Sequence, residues 1–304
     1  MNEKKILDKI PAIFHQRKEI IAGPGDDCAV LDFGLDRFYL MAVDQLVSDV
    51  HYKKSSTFAV KIAKKLLNRN LSDIAAMGGE PAQALLSMTL CSETASDKYW
   101  ISEFLESMER EAQRWNISVC GGDISSTKSD ADSFSLTITG WVAKESLCLR
   151  SSVKPGDILF ATGCFGRSFP TGHHLNFTPR LEEAKFLSGT FTNAMIDVSD
   201  GFLLDSARLA EMSNLCLSID PDKVIPRDGA SIEERLTDGE DYELLFAVSP
   251  EKAELLKNEW SFEDLYLREA GIFSNGDKGV VKDMSGRTLY DNGSDSYIVF
   301  DHLV

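Results

Sequence analysis

Apolar residues recur at three- and four-residue steps through Phe58, Ile62, Leu66, Leu67, Leu71 and Ile74, which predicts a helix that MGGEP (77–81) ends. Leu66, Asn70, Asp73 and Met77 share one face of it, so Asp73 lies on or beside the buried side, while Lys61, Lys64 and Lys65 are expected to point elsewhere. Trp100, Phe104, Leu105, Met108 and Ala112 mark a second amphipathic helix. Strands are predicted where aromatic and aliphatic residues run together, as in RFYLMAVD (37–44) and PAQALLSMTL (81–90). SFSLTITGW (133–141) alternates Phe134, Leu136 and Ile138 with Ser133, Ser135, Thr137 and Thr139, the period of a half-buried strand. ISVCGGDISS (117–126) reads as a short strand that breaks at Gly121 and Gly122 and presents Asp123.

After the turn SSVKPGD (151–157), ILFATG (158–163) opens a second half. CFGRSFPTGHHLNFTPR (164–180) is loop-rich, and AMIDVSDGFLLDSARLAEMSN (194–214) predicts strand, turn and helix, with Asp200 placed to cap the helix. CLSID (216–220), DYELLFAVS (241–249) and YLREAGIF (266–273) are strand candidates, and PEKAELLKNEW (250–260) is a helix. Strands and helices alternate in both halves without a repeat, so the expected architecture is α/β or α+β in two domains, residues 1–148 and 149–304.

A hydrophobic fraction of 43% supports a proper core, yet no run of about 18 uncharged apolar residues exists to span a membrane. The segment MNEKKILDKI lacks the apolar centre of a secretory signal, so a cytoplasmic protein is expected. Six scattered cysteines, with no C-x-x-C pair, read as reduced core residues. A net charge of −16 disfavours a nucleic-acid surface. It leaves two meanings for the acidic residues, solubility or metal binding.

Asp26, Asp27, Asp44, Asp123, Asp197 and Asp200 sit at strand ends or glycine turns, with Asp73 on its helix. Singly, each is explained as a turn former or cap. Brought together, they would repel one another unless cations lay between them. Mg²⁺ matches oxygen-only ligands shared with a substrate's phosphates, and it reverses the local sign of charge, which lets an acidic chain take polyphosphate. Gly25, Gly121, Gly122 and Gly201 permit close backbone approach, while neither Walker A nor G-x-G-x-x-G occurs.

The ordered set GPGDD, VDQLVSDVHY, NRNLSDIAAMGGEPAQAL, GGDISS, RSSVKPGD, IDVSDGFLLD and GEDYELLF resembles the thiamine-monophosphate kinase family of the aminoimidazole-ribotide synthetase-like superfamily. The resemblance covers about residues 20 to 250. It implies an N-terminal domain whose sheet pairs with a second subunit in a homodimer, and a C-terminal α/β domain that closes over the cleft. It also implies ATP-dependent phosphorylation of thiamine monophosphate to thiamine diphosphate, without a phosphoenzyme. By matching motif, Asp26, Asp27, Asp44, Asp73, Asp123, Asp197 and Asp200 would hold several Mg²⁺ ions, with Asp73 and Asp123 carrying the transfer. Gly122, Asp123, Arg150 and Ser199 would contact the nucleotide, and His51, Glu240 and Tyr297 the acceptor.

The chain departs from the family pattern at Val43, before Asp44, at Asp238–Gly239, before Glu240, and at Leu105 in the second helix. The segment between TGCFGRS and TPR is short, and the C-terminal NGSDSYIVF offers Tyr297 where relatives carry a tryptophan. Two alternatives stay open, an ATP-dependent enzyme with another small phosphorylated acceptor and a nucleotide-binding homologue without turnover.

Overall fold

Residues 9–14 and 17–291 are described by the computed structural model, and their strands form two separate sheets. The first contains β1 (Ile20–Ala22), β2 (Ala29–Leu31), β3 (Arg37–Val47), β4 (Glu80–Cys91), β5 (Ser118–Thr127) and β6 (Ser133–Ala143) in the order β1-β2-β3-β6-β4-β5. The second contains β7 (Ile158–Thr162), β8 (Met195–Asp197), β9 (Cys216–Ile219), β10 (Leu244–Val248), β11 (Leu267–Ser274), β12 (Val281–Asp283) and β13 (Thr288–Tyr290). Their order is β13-β12-β9-β11-β7-β10-β8. This is the mixed α/β, two-sheet architecture expected from the alternation of elements.

Physical chemistry accounts for the layers. Along β6 the apolar positions Phe134, Leu136, Ile138 and Val142 are buried and the residues between them are half-buried, so one face of the sheet is dry. That face is covered by α1 (Ala59–Ala76), which packs against β3, β6 and α2 (Lys98–Arg114). Trp100, Phe104 and Phe134 stack in this layer, with ring centroids 5.5 and 4.9 Å apart for the successive pairs. β10 is different: all five residues of LLFAV are buried, because β7 and β8 pair with it on both sides and both its faces are covered. The longer helices of the second half are α3 (Leu181–Leu187), α4 (Phe202–Met212), α5 (Ile232–Thr237) and α6 (Pro250–Glu259).

Four expectations change. β3 continues past Asp44 to Val47, so Asp44 stands inside a strand rather than at its end. β5 does not break at its glycines: it runs from Ser118 to Thr127 alongside β4, and a Cβ on Gly122 would lie 1.7 Å from Leu86 O. Glycine is therefore what lets the two strands close up there. Asp200 does not cap α4, whose N-cap is Gly201 at φ 121°; its carboxylate is drawn to Arg208 instead. Of the six cysteines, all free, Cys28, Cys91, Cys148 and Cys216 are buried, but Cys120 is exposed on the edge strand β5 and Cys164 is only partly covered.

Phe104→Ala removes the centre of the stacked aromatic layer, and a loss of about 3–5 kcal/mol is expected. Urea unfolding followed by circular dichroism should show the lowered midpoint.

Candidate active site

α1 spans 18 residues, and its buried surface is unusually polar, with Lys65, Asn68, Arg69, Asn70 and Ser72 all buried. Lys65, Arg69, Ser72 and Asp73 follow one another at i, i+4, i+7 and i+8, which aligns them along a single face. Opposite this face lie two segments of the second half, bonded to each other. Glu240 N donates to Ser199 O at 2.7 Å, and Tyr242 N donates to Val198 O at 2.8 Å. Residues 197–200 and 240–243 thereby form one wall, and Ser72 Oγ joins α1 to it by donating to Asp197 Oδ2 at 2.6 Å.

At the C-terminal end of that face, Asp27, Asp73 and Asp197 each offer a carboxylate oxygen, and these atoms lie within 4.8 Å of one another. At such separations each fully ionised pair costs about 3 kcal/mol at an effective dielectric of about 20. Burial first, then the neighbouring Asp44, Asp197 and Asp27, push the Asp73 carboxyl well above its usual range. Burial and the adjacent Asp27 do the same to Asp197, against the Ser72 hydrogen bond. Burial also lifts Asp26 to about 6, opposed by the hydrogen bond from Arg150 N to its Oδ1 at 2.9 Å. Oxygen-only ligands under mutual repulsion suit a hard divalent cation, which restores with positive charge what the protein otherwise restores with protons.

Arginines hold the carboxylates around this group. Arg150 donates Nε to Asp27 Oδ2 at 3.2 Å, pairs its Nη2 with Asp27 Oδ1, and donates Nη1 to Gly25 O at 3.0 Å. Arg69 grips both oxygens of Asp44, Nε to Oδ2 at 2.6 Å and Nη2 to Oδ1 at 3.2 Å, and also bonds Gln45 O. Arg208 pairs with Asp200 at 2.5 Å and with Asp205 at 2.6 Å. One turn beyond Arg69, the fully buried Lys65 pairs with Glu240 and donates to His51 O at 2.6 Å. Burial pulls the Lys65 ammonium down to about 8, and Glu240 opposes that fall. His51 is buried too, its Nδ1 accepting from Val47 N at 3.0 Å.

The structure thus brings Asp27, Asp73 and Asp197 together, with Asp26, Arg150, Asp44, Ser199 and Asp200 around them and His51 and Glu240 at the Lys65 end. It does not bring in Asp123 or Gly122. Asp44 pairs with Leu136, Leu136 with Leu86 and Leu86 with Gly122, so these residues of β5 stand three strands away. That is about 14 Å at the usual strand spacing. Tyr297 lies outside the described residues. Lys65, Arg69, Ser72 and Arg208 were not foreseen. Lys65 in particular was expected to point away from the core, and only its four-residue spacing from Arg69 within NRNLSD marks the shared face.

Residues 25–142 match the family model described as AIR synthase related protein, N-terminal domain. A thiamine-monophosphate kinase of Rhodopirellula baltica is 35% identical over 274 residues, which cover 84% of this chain and 85% of the relative. The chain belongs to the thiamine-monophosphate kinase family. The family enzyme of Leptospira interrogans is 32% identical over 331 residues, covering 100% of this chain and 98% of its own. The solved structure of AaThiL complexed with AMPPCP and TMP superposes with a TM-score of 0.81 at 25% identity, over 95% of this chain and 96% of that one. Within the thiamine-monophosphate kinase framework Val43 points outward, 63% exposed, so its side chain takes no part in the carboxylate group.

Removing one repelling charge should stabilise the ligand-free protein. Asp197→Asn is expected to raise the thermal midpoint without divalent cation by a few degrees, on the order of 1 kcal/mol, and MgCl₂, expected to raise the midpoint of the wild type, should leave that of the variant unmoved. Scanning fluorimetry with and without MgCl₂ reads both. Asp26 is favoured in its protonated form by folding, so its unfavourable contribution grows as pH rises from its ordinary 3.8 and is complete above about 6. Asp26→Asn should flatten that part of the stability profile, measured by urea midpoints between pH 4 and 7.

Proposed function

We propose that the protein is a thiamine-monophosphate kinase that uses Mg²⁺ and ATP to make thiamine diphosphate. The observation that carries this reading is the group of three carboxylates, Asp27, Asp73 and Asp197, joined through α1 to the Lys65–Glu240 pair and His51, in a member of this family. The carboxylate geometry fits Mg²⁺, with Asp27, Asp73 and Asp197 as the central ligands and Asp26, Asp44 and Asp200 beside them. Asp123, three strands from this group, would hold a separate ion. When bound, the metal neutralises phosphate charge and lets two anionic groups approach.

Arg150, with its fork of donors already on Asp27 and Gly25 O, clamps the nucleotide phosphates, and Gly122, Asp123 and Ser199 complete its contacts. His51 and Glu240 orient the acceptor. A terminal oxygen of thiamine monophosphate attacks the γ-phosphorus of ATP in line; the new P–O bond forms as the bond to the β-phosphate oxygen breaks and ADP leaves. The attacking oxygen is already ionised near neutral pH, so these residues position and need not remove a proton. A homodimer completes the reading. The outer face of the first sheet exposes Met41, Val43 and Leu85 at 42%, 63% and 51%, and Val43 and Leu85 share one row across β3, β6 and β4. This is an apolar surface that a second copy would cover.

A coupled assay of ADP release tests the reaction. Release is expected with thiamine monophosphate and Mg²⁺, and neither with thiamine nor without the metal. Asp73→Asn should lower kcat by at least about a thousandfold while circular dichroism shows the fold intact. Wild-type turnover in that variant, or release driven only by another phosphorylated acceptor, would overturn the assignment.

A further inference from the structure

Of the buried side-chain atoms without a hydrogen-bond partner among the described residues, three belong to Asn68 (Oδ1) on α1 and to Glu240 (Oε1) and Tyr242 (Oη) in the wall that faces it. They are linked by packing. Lys65 on α1 holds the other oxygen of Glu240, the Tyr242 ring stacks on Phe177 with centroids 4.0 Å apart, and Phe177 O accepts from Asn68 Nδ2 at 2.8 Å. Tyr242 is only 2% exposed, and the charged groups that surround its phenol are Arg69, Glu240, Asp44 and Asp197. Tyr242 N donates to Val198 O, next to Asp197, so the tyrosine belongs to the same buried cluster as the metal-type carboxylates and the Lys65–Glu240 pair.

Two features set this tyrosine apart from a core aromatic. Burying a hydroxyl with nothing to bond it is unfavourable, and phenylalanine would fill the same space without that cost. The backbone is also strained: Glu240 and Tyr242 adopt φ 62° and 52°, in the left-handed region that non-glycine residues seldom occupy. Hydrogen bonds from Glu240 N to Ser199 O and from Tyr242 N to Val198 O hold this conformation against the wall that carries Asp197. Strain and an unmet polar atom on the same three residues mark a group arranged for a ligand.

We propose that Tyr242 is a further acceptor-binding residue, whose phenol donates a hydrogen bond to a phosphate oxygen of thiamine monophosphate. The role rests on the kinase reading above. An anionic oxygen suits the O–H donor, and its place beside Arg69 and Asp197 puts that oxygen at the phosphate end of the site rather than at the ring end.

Tyr242→Phe deletes the hydroxyl and keeps the packing. Steady-state kinetics of ADP release should show KM for thiamine monophosphate raised about ten- to a hundredfold, with KM for ATP unchanged and a smaller effect on kcat. The thermal midpoint of the ligand-free variant should equal or exceed that of the wild type. An unaltered KM for thiamine monophosphate overturns the role. So does a lowered midpoint with unchanged kinetics, the pattern of a hydroxyl that serves a buried water. The wild-type control reads the kinase assignment separately, because a wild type inactive on thiamine monophosphate overturns that reading and this role with it.

Discussion

Mutual repulsion among Asp27, Asp73 and Asp197 is the constraint around which the two halves are organised. Each of the three comes from a different part of the chain: the turn before β2, the end of α1, and the end of β8. Bringing them within 4.8 Å in a partly dry place requires a frame that can absorb the cost. The frame is visible in the polar face of α1, which bonds to the 197–200 segment through Ser72 and to the 240–243 segment through Lys65.

The arginines explain how such a site persists without its ligands. Asp27, Asp44 and Asp200 are each matched by a guanidinium, Arg150, Arg69 and Arg208, while Asp73 and Asp197 have no such ion pair among the described residues. Charge is thus balanced at Asp27, Asp44 and Asp200 and left unbalanced at Asp73 and Asp197. A cation entering the centre gains the whole of the unbalanced attraction, whereas one placed at Asp44 would have to compete with Arg69.

Much of this was legible from the residues alone. The three- and four-residue steps from Phe58 to Ile74 correspond to α1, and the alternation in SFSLTITGW corresponds to β6, because each pattern records a face turned toward a core. Asp27, Asp73 and Asp197 stand out in the sequence through their turns and the family motifs, but so does Asp123, which the fold keeps apart from them. What could not be read was their pairing. Whether Asp44 meets Arg69, or Asp200 meets Arg208 rather than the first turn of α4, depends on tertiary distance, which no local spacing encodes. Lys65 departs from expectation because a lysine on a helix is ordinarily solvated, whereas here Glu240, 175 residues along the chain, and the His51 carbonyl make its burial tolerable. The passage of β5 through Gly121–Gly122 was read as a break for a similar reason: a glycine pair looks like a turn until the neighbouring strand is known to approach it.

β5 has a consequence of another kind. Most of its ten residues are exposed, and it closes the first sheet on one side with a row of backbone donors and acceptors that no neighbouring strand among the described residues meets. A long uncovered edge of this sort is a template for stray strand addition. Under the homodimer proposed above, a second copy that reached this edge would therefore act as a safeguard against stray pairing as well as an assembly step, a role separate from the chemistry of the carboxylates.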